Sequence, residues 1–282
     1  MVKDTKLGAL YIVATPIGNL EDISKRALET LTKVDICAAE DTRKSKTLLN
    51  YYQIDTKLVS YHKFSEHKRL NFLIEKLMIG NNVALISDAG TPLISDPGYL
   101  LVREALKLSI NVIPIPGPSS LTSALSVSGL PVNKFTFYGF PPRQKKAKNE
   151  FMNLIANDTN TTVVFESGRR IKIFLRNLIE LVSKREVFIA REMTKLYETF
   201  YWGEISQVLE EISTKDYSLK GEFVIVIKGR IETPDSNFID KDQERILKIL
   251  LENMKKKEAL LIASKIFGVS KNSIYKRLLK EK

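Results

Sequence analysis

Acids, glycines and prolines crowd the stretch from Val83 to Leu100, VALISDAGTPLISDPGYL. A short apolar run there gives way to two acid-led turns, Asp88-Ala89-Gly90-Thr91-Pro92 and Asp96-Pro97-Gly98. TPIGNL (Thr15–Leu20) and PGPSS (Pro116–Ser120) have the same character. Each can be an ordinary turn, because Gly, Pro and Asp are the common turn formers. Gathered on one edge they can also hold a ligand. Glycine lets a ligand approach the backbone, proline stiffens a loop, and aspartate accepts hydrogen bonds from hydroxyl or ammonium groups. A rigid pocket dominated by backbone contacts suits a nucleoside-sized cofactor. The second turn reads differently, as a structural launch for the helix after it.

The surrounding pattern places these loops together. Leu10–Ala14, Val34–Ala39, Lys57–Tyr61, Asn82–Ser87 and Asn111–Ile115 read as strands. Helices are expected over Asp22–Lys33 with Asp22 as N-cap, from after Glu40-Asp41-Thr42-Arg43 through Tyr51, from about Ser65 (as cap) to Met78, over Gly98–Leu108 and over Leu121–Ser128. Strands alternating with helices predict a mostly parallel α/β sheet, and in open sheets of this kind ligands bind at the carboxyl ends of the strands. After the strand Lys134–Gly139, the segment Phe140–Asn149, FPPRQKKAKN, reads as a linker. The second half has strands at Thr162–Phe165, Glu186–Ala190, Glu198–Gly203 and Glu222–Lys228, with helices near Arg169–Val182 and Ile205–Ser213. Its strands follow one another more directly, which predicts a mixed sheet. The expected organisation is α/β throughout: domains 1–139 and 140–232, then a small helical appendix, 233–282.

Composition narrows the chemistry. With 282 residues, 44% of them hydrophobic, the chain can fill two cores. A single cysteine, Cys37, allows no internal disulfide and fits a reducing, cytoplasmic setting. No run of about 20 apolar residues would span a membrane, and the apolar opening, Leu7–Ala14, reads as a strand rather than a signal peptide. Two histidines, His62 and His67, exclude a His-rich metal site and disfavour a Ser-His-Asp triad; no metal is expected. Neither the GxxxxGK[ST] phosphate loop nor the GxGxxG dinucleotide fingerprint occurs. The net charge of +11 points to a polyanionic partner, although Lys-rich composition alone can produce such an excess.

LYIVATPIGNLEDIS, AAEDTRKS, ISDAGTPLISDPG, PIPGPSS with LSVSGLP, FES with its following arginines, AREMTKLYETFYWG and KGEFVIVI occur in that order. Together they resemble the ribosomal RNA small subunit methyltransferase I family of the tetrapyrrole methylase-like superfamily. The resemblance runs from Leu10 to about Gly229. It implies two α/β domains of the tetrapyrrole methylase type with S-adenosylmethionine in the cleft between them, a homodimer, and 2′-O-methylation of a cytidine in the decoding centre of 16S rRNA within the small ribosomal subunit. Carried over by motif, Asp88, Ala89, Gly90, Thr91, Ser119 and Ser120 would bind the cofactor. Phe165 and Ala190–Thr194, including Met193 and Thr194, would close over it, with Pro16 and Gly18 at the mouth. Phe165 serves equally well as core packing, and Glu222 as an ion-pair partner.

Because a sulfonium already activates its methyl group, the protein need only align a ribose oxygen and help remove a proton. Asp41, Glu192 and Lys195 are the candidate catalytic groups, Lys195 as a base only if its pKa is depressed. Arg43 and Arg191 suit phosphates or the bracing of acids, as do Arg169 and Arg170. Lys145, Lys146 and Lys148 could add phosphate contacts. In the tail, Leu260, Leu261, Ala263 and Ile266, a turn at Gly268, then Ile274, Leu278 and Leu279 suggest a helix-turn-helix. It would present Lys271, Asn272, Tyr275, Lys276 and Arg277 to RNA; a plain helical hairpin fits the same pattern. Two rivals remain, a methylase of tetrapyrrole precursors and a non-catalytic ribosome assembly factor.

Overall fold

The computed structural model describes residues 7–63, 65–215, 220–231, 241–271, 274, 275 and 278. It divides into two compact units, residues 1–229 and 230–282. The first unit begins with strand β1 (Ala9–Val13), a 3-10 turn (Leu20–Asp22), helix α1 (Lys25–Lys33), β2 (Ile36–Ala39), α2 (Thr42–Tyr51), β3 (Leu58–Ser60) and α3 (Glu66–Met78). It continues with β4 (Val83–Ile86), α4 (Tyr99–Lys107), β5 (Asn111–Ile115) and α5 (Ser120–Val127). The five strands form a wholly parallel sheet in the order β3-β2-β4-β1-β5.

Both faces of this sheet are covered, so its central strands are apolar at every position: all four residues of β2 and of β4 are buried. Strand alternation divides them between two cores. Val83 and Leu85 face α3 and α4 with Leu73, Leu77 and Leu101, while Ala84 and Ile86 face α1 and α2 with Ala27, Leu31 and Leu49. Most of these helices bury residues four apart, the spacing of one helical face. Cys37 lies wholly inside, and burial pushes its thiol up to about 12. It is a small core side chain.

The second sheet is built from β6 (Phe135–Gly139), α6 (Lys145–Asn157), β7 (Thr161–Ser167), α7 (Ile171–Val182), β8 (Glu186–Arg191), β9 (Thr199–Glu204), α8 (Ile205–Lys215) and β10 (Glu222–Ile227). Its order is β6-β7-β10-β8-β9; β6 runs parallel to β7 and every other pairing is antiparallel. Val164, Ile189 and Ile225 face a core with α6, α7 and α8, whereas Val163, Ala190 and Val224 face Ile17 and the α5 residues Ala124 and Leu125. That inner face closes against α5 and the loop after β1.

Four local expectations change. The cap of α1 is Ser24, whose hydroxyl accepts from the Ala27 amide at 3.1 Å; Asp22 ends the preceding 3-10 turn instead. Ser65 precedes α3, but its hydroxyl bonds to the His62 backbone and leaves the helix uncapped. The expected linker becomes helix α6 from Lys145, because Phe151, Met152 and Ile155 give it a face buried in the second core. Strand β6, expected before the domain boundary, pairs with β7 in the second sheet.

The second unit contains α9 (Lys241–Asn253) and α10 (Lys256–Phe267), the latter ended by left-handed Gly268. Leu247, Leu260, Ala263 and Ile274 form its small core, with Leu278 packed alongside. The expected stripe is half right: Leu261 and Ile266 are 38% and 58% exposed, and Ala259 and Phe267 take the inner positions. Leu279 lies outside the described residues. Substituting Ser24→Ala should cost about 1 kcal/mol in denaturant unfolding, whereas Asp22→Ala should stay within about 0.5 kcal/mol.

Candidate active site

The carboxyl ends of the neighbouring strands β2, β4, β1 and β5 carry the acid-, glycine- and proline-rich loops, and hydrogen bonds lace these together. Thr15 and Gly90 exchange backbone bonds of 2.9 Å in both directions. The buried Thr15 hydroxyl donates to the Ser87 carbonyl at 3.2 Å, and the Thr91 hydroxyl donates to the Pro118 carbonyl at 3.2 Å. Gly90 adopts φ +82°, a left-handed conformation that favours glycine, and a Cβ there would lie 3.4 Å from Ile17, in ordinary contact.

Between these loops and the inner face of the second sheet lies a cleft of about 400 Å³. Asp88, Ala89, Gly90, Thr91, Ser119 and Ser120 line its first wall, while Phe165, Ala190, Met193, Glu192 and Lys195 line the second. Backbone registry brings the second wall together, with Val224 opposite both Phe165 and Ala190. Phe165 serves as packing and lining at once, its ring edge-on to Phe137 at 4.9 Å and to Phe140 at 5.5 Å.

Pro16, Gly18 and Thr194 are not among the lining residues. Ile17 supplies the lining from TPIGNL, and its neighbours brace the second wall. The Asn19 amide donates to the Thr194 hydroxyl at 3.1 Å, and a Cβ on Gly18 would sit 2.4 Å from Cγ of Lys195. The two loops therefore interlock.

Asp41 also stands outside the lining. It caps α2 through the Arg43 amide, and Arg43 grips its carboxylate with Nε at 3.1 Å and Nη2 at 2.8 Å. These bonds hold Asp41 below the usual carboxylate range, a poor base. Lys195 donates from Nζ to Glu192 and Glu222 at 2.9 Å each. Burial alone would lower its pKa, but the two carboxylates outweigh burial and raise it. Lys195 is thus a fixed cation and a donor, not a free base. Burial likewise pushes Glu192 up, but Lys195 and the Glu222 amide outweigh that push and lower its pKa.

Both oxygens of Asp88 are engaged, one by the Asp41 amide at 3.0 Å and the other by Lys44 Nζ at 2.6 Å. Its carboxylate pins the AEDTR segment to the DAGTP loop. Arg170 braces buried Glu166 at 2.7 Å, whereas Arg169 is exposed. Arg191 donates to the Lys220 carbonyl and lies over the Phe223 ring. Lys145 and Lys146 are exposed on the first turn of α6, and Lys271 is exposed in the second unit. Asn272, Lys276 and Arg277 fall outside the described residues.

Sequence reasoning missed Glu40, Lys44 and Asp96 in the lining. The second turn of the opening motif, read as structural, does launch α4 through Gly98, but its Asp96 faces the cleft. A doubled acid within one strand-end loop was the available signal. Burial first, then the charge of Glu40, pushes Asp96 up to about 6, partly offset by the Ser87 hydroxyl.

The cleft matches what the cofactor of this class requires: backbone approach at Gly90, hydroxyls on Ser119 and Ser120, and an apolar wall of Ile17, Ala190 and Met193. The family model for tetrapyrrole (corrin/porphyrin) methylases matches residues 9–209. The fold agrees with solved structures at low identity. Cobalt precorrin-4 methyltransferase has a TM-score of 0.56 at 16% identity, covering 78% of this chain and 94% of that one. Uroporphyrin-III C-methyltransferase from Thermus thermophilus, complexed with S-adenyl homocysteine, gives 0.54 at 16% identity, covering 78% and 97%. The class is therefore a tetrapyrrole-methylase-type α/β methyltransferase.

Curated relatives narrow this further. Ribosomal RNA small subunit methyltransferase I of Haemophilus influenzae is 40% identical over 269 residues, 95% of each chain. That of Escherichia coli O157:H7 is 39% identical over 279 residues, 99% of this chain and 97% of the relative. A model described as the RsmI C-terminal HTH domain matches residues 238–282. The chain belongs to the ribosomal RNA small subunit methyltransferase I family, whose members are S-adenosylmethionine-dependent methyltransferases.

Glu192 and Thr194 hold left-handed backbones at φ +49° and +65°, and Gly221 sits beneath them at φ +107° with a would-be Cβ 2.7 Å from the Glu192 carboxylate. Gly221→Ala should therefore lower stability by about 1–3 kcal/mol. Displacing Glu192 should also lower the pKa of Lys195, measurable by NMR titration of its side chain.

Proposed function

We propose that the protein transfers the methyl group of S-adenosylmethionine to the ribose 2′-oxygen of a cytidine in the decoding centre of 16S rRNA. The observation that carries this is the near-full-length similarity to ribosomal RNA small subunit methyltransferase I, 39–40% identical across 95–99% of the chain. The cleft at the strand ends, with intact lining motifs, argues for catalysis over a purely structural role in ribosome assembly.

When bound, the cofactor supplies an electrophilic methyl group. The chain's own residues do the rest. Asp88–Thr91 and Ser119–Ser120 form the cofactor wall, while Phe165, Ala190 and Met193 exclude water from the other side. Thr194, Pro16 and Gly18 hold those walls in register. Lys195, kept charged by Glu192 and Glu222, donates to an oxygen of the substrate ribose or its phosphate.

Charge is segregated in a way that suits these partners. The chain carries +11 overall, yet carboxylates outnumber lysines in the cleft lining. An acidic interior favours a cationic sulfonium, and exposed cations outside it favour RNA. Lys145 and Lys146 serve the second role well. Cations on the first turn of a helix oppose its dipole, so stability gives no reason for them. Arg43 is exposed but already bound to Asp41, so it contributes less. In this reading Lys271, Lys276 and Arg277 of the tail also contact RNA, as does Arg169 after β7. The enzyme works in the cytoplasm as a homodimer. Leu196, Tyr197, Phe200 and Trp202, exposed on and beside edge strand β9, offer apolar surface for the second copy.

The deciding experiment supplies methyl-labelled cofactor to unmodified small ribosomal subunits and maps the label by mass spectrometry. Label on the 2′-oxygen of one cytidine supports the proposal. Transfer only to a porphyrin precursor, or cofactor binding with no transfer to RNA, defeats it. Binding to the subunit should weaken steeply with added salt, and Lys145→Ala with Lys146→Ala should make that dependence shallower by about two phosphate contacts. The double change Phe200→Lys with Trp202→Glu should yield a monomer by light scattering.

A further inference from the structure

Six carboxylates reach the cleft, and four of them are already committed. Asp88 is bonded to Lys44, Glu166 to Arg170, and Glu192 and Glu222 to Lys195. Glu40 and Asp96 are the remaining two, and neither has an ion pair within 4.0 Å among the described residues, although the charges of Lys44 and His62 act on Glu40. They stand on separate strand-end loops, after β2 and β4; the charge of Glu40 acts on Asp96, while Glu40 itself feels Asp88.

The loop after β4 is bent to bring Asp96 back to the cleft. Leu93 and Ser95 both take left-handed backbones, at φ +72° and +75°, without being glycine. Strain of this kind in a non-glycine residue costs free energy and persists where the surrounding structure enforces it. The fixed end of the loop is Gly98, whose amide donates to Glu66 at 3.1 Å. The charged and titratable groups around Asp96 are Glu40 and Asp88 on the adjoining loops, Lys44 on α2, which offsets Glu40, and His62 beyond β3, which also acts on Glu40. The Ser87 hydroxyl, which donates to the Ala89 carbonyl at 3.3 Å, also lies near Asp96 and partly offsets its rise.

We propose that Asp96 is the catalytic residue that takes the proton from the ribose 2′-hydroxyl, with Glu40 as the positioning residue that keeps it basic. This rests on the methyl-transfer reading above and adds the proton's destination. As the 2′-oxygen forms its bond to the methyl carbon, the S–CH₃ bond breaks and its electron pair stays on sulfur. The O–H bond breaks and its proton passes to Asp96. No other reactant is needed. Asp41 and Lys195 do not compete: one is neutralised by Arg43 outside the lining, and the other holds its proton between two carboxylates. Burial reinforced by a neighbouring carboxylate is the familiar means of making a carboxylate base usable near neutrality.

The full chain with unmodified small ribosomal subunits provides the test, in single turnover across pH 5 to 9, roughly the span over which a base near neutrality titrates. The parent rate should climb with pH and level off above about 6, where Asp96 is ionised. Asp96→Asn should lose about 10²- to 10⁴-fold in rate together with that inflection. Its calorimetric affinity for S-adenosylhomocysteine should stay within about threefold of the parent. Its melting temperature at pH 8 should be equal or higher, because an uncompensated half-buried charge has been removed. Glu40→Gln, which removes the neighbouring charge, should move the inflection to lower pH.

Carboxyl NMR of the protein without cofactor gives a readout independent of activity. The Asp96 resonance should titrate near 6 and shift down in Glu40→Gln. An Asp96→Asn enzyme as fast as the parent, a surviving inflection, or an Asp96 titration near the ordinary carboxylate value would overturn the assignment. A parent that labels no RNA would overturn the functional reading with it. A parent that labels RNA beside an equally fast Asp96→Asn removes only the role of Asp96.

Discussion

The reciprocal backbone bonds between Thr15 and Gly90 tie together the ends of the two adjacent strands β1 and β4. Parallel strands end their ladder at the sheet edge, and loops leaving that edge have no built-in partner. Here the partner is the next loop. The pairing needs a left-handed residue at Gly90, and it brings Ile17 against the glycine and on into the cleft lining. Thr15 completes the knot with a buried hydroxyl bond to Ser87, the residue whose own hydroxyl turns back to the Ala89 carbonyl. A net contribution of about 1 kcal/mol per bond is modest for stability. For the cleft it is decisive, since one displaced loop would move both the first wall of the cleft and the acid beside it.

The second wall depends on the first in a similar way. TPIGNL not only leaves β1; it also receives the segment after β8, through Asn19 to Thr194 and through Gly18 beneath the stem of Lys195. Two left-handed residues, Glu192 and Thr194, shape that segment, and a third conformational exception at Gly221 makes room for it. Four of the six left-handed non-glycine residues among those described, Leu93, Ser95, Glu192 and Thr194, lie on the loops around the cleft. Elsewhere the elements follow ordinary rules, with continuous apolar strands in the parallel sheet and helices that bury one face. The contrast is what a functional site predicts, because local rules are broken where geometry has to serve a ligand.

This contrast also sets what could be read in the sequence. The alternation of strands and helices, the parallel first sheet and the mixed second one follow from hydrophobic pattern, which the folded chain obeys. The gathering of DAGTP, PGPSS and TPIGNL at one edge follows from topology. What pattern does not carry is direction. Nothing in the residues DPG says whether Asp96 turns toward solvent or back into the cleft, since the answer rests on φ at Leu93 and Ser95. Nor could spacing tell that Asp41 and Arg43, two residues apart, would satisfy each other, or that Lys195 would sit between two carboxylates that lie 30 positions apart. The linker was misread for a simpler reason: a cluster of lysines hid the apolar face of Phe151, Met152 and Ile155 behind it.

Charge placement connects these levels. Cys37, Ala38 and Ala39 at the heart of the first sheet carry no charge and make no demands, so the fold itself is indifferent to the sign of the protein. The acids are kept at the strand ends, most of them neutralised one by one by Lys44, Arg170 and Lys195. A sequence selected for stability alone would have neutralised all of them. Leaving Asp96 without a salt-bridge partner among the described residues costs stability at neutral pH, since its ionised form is disfavoured by burial and by Glu40. That cost is borne in a chain with 44 lysines and arginines, where a counter-ion would have been easy to supply. The missing cation at this one point is therefore better explained by what the carboxylate must do than by how the protein folds.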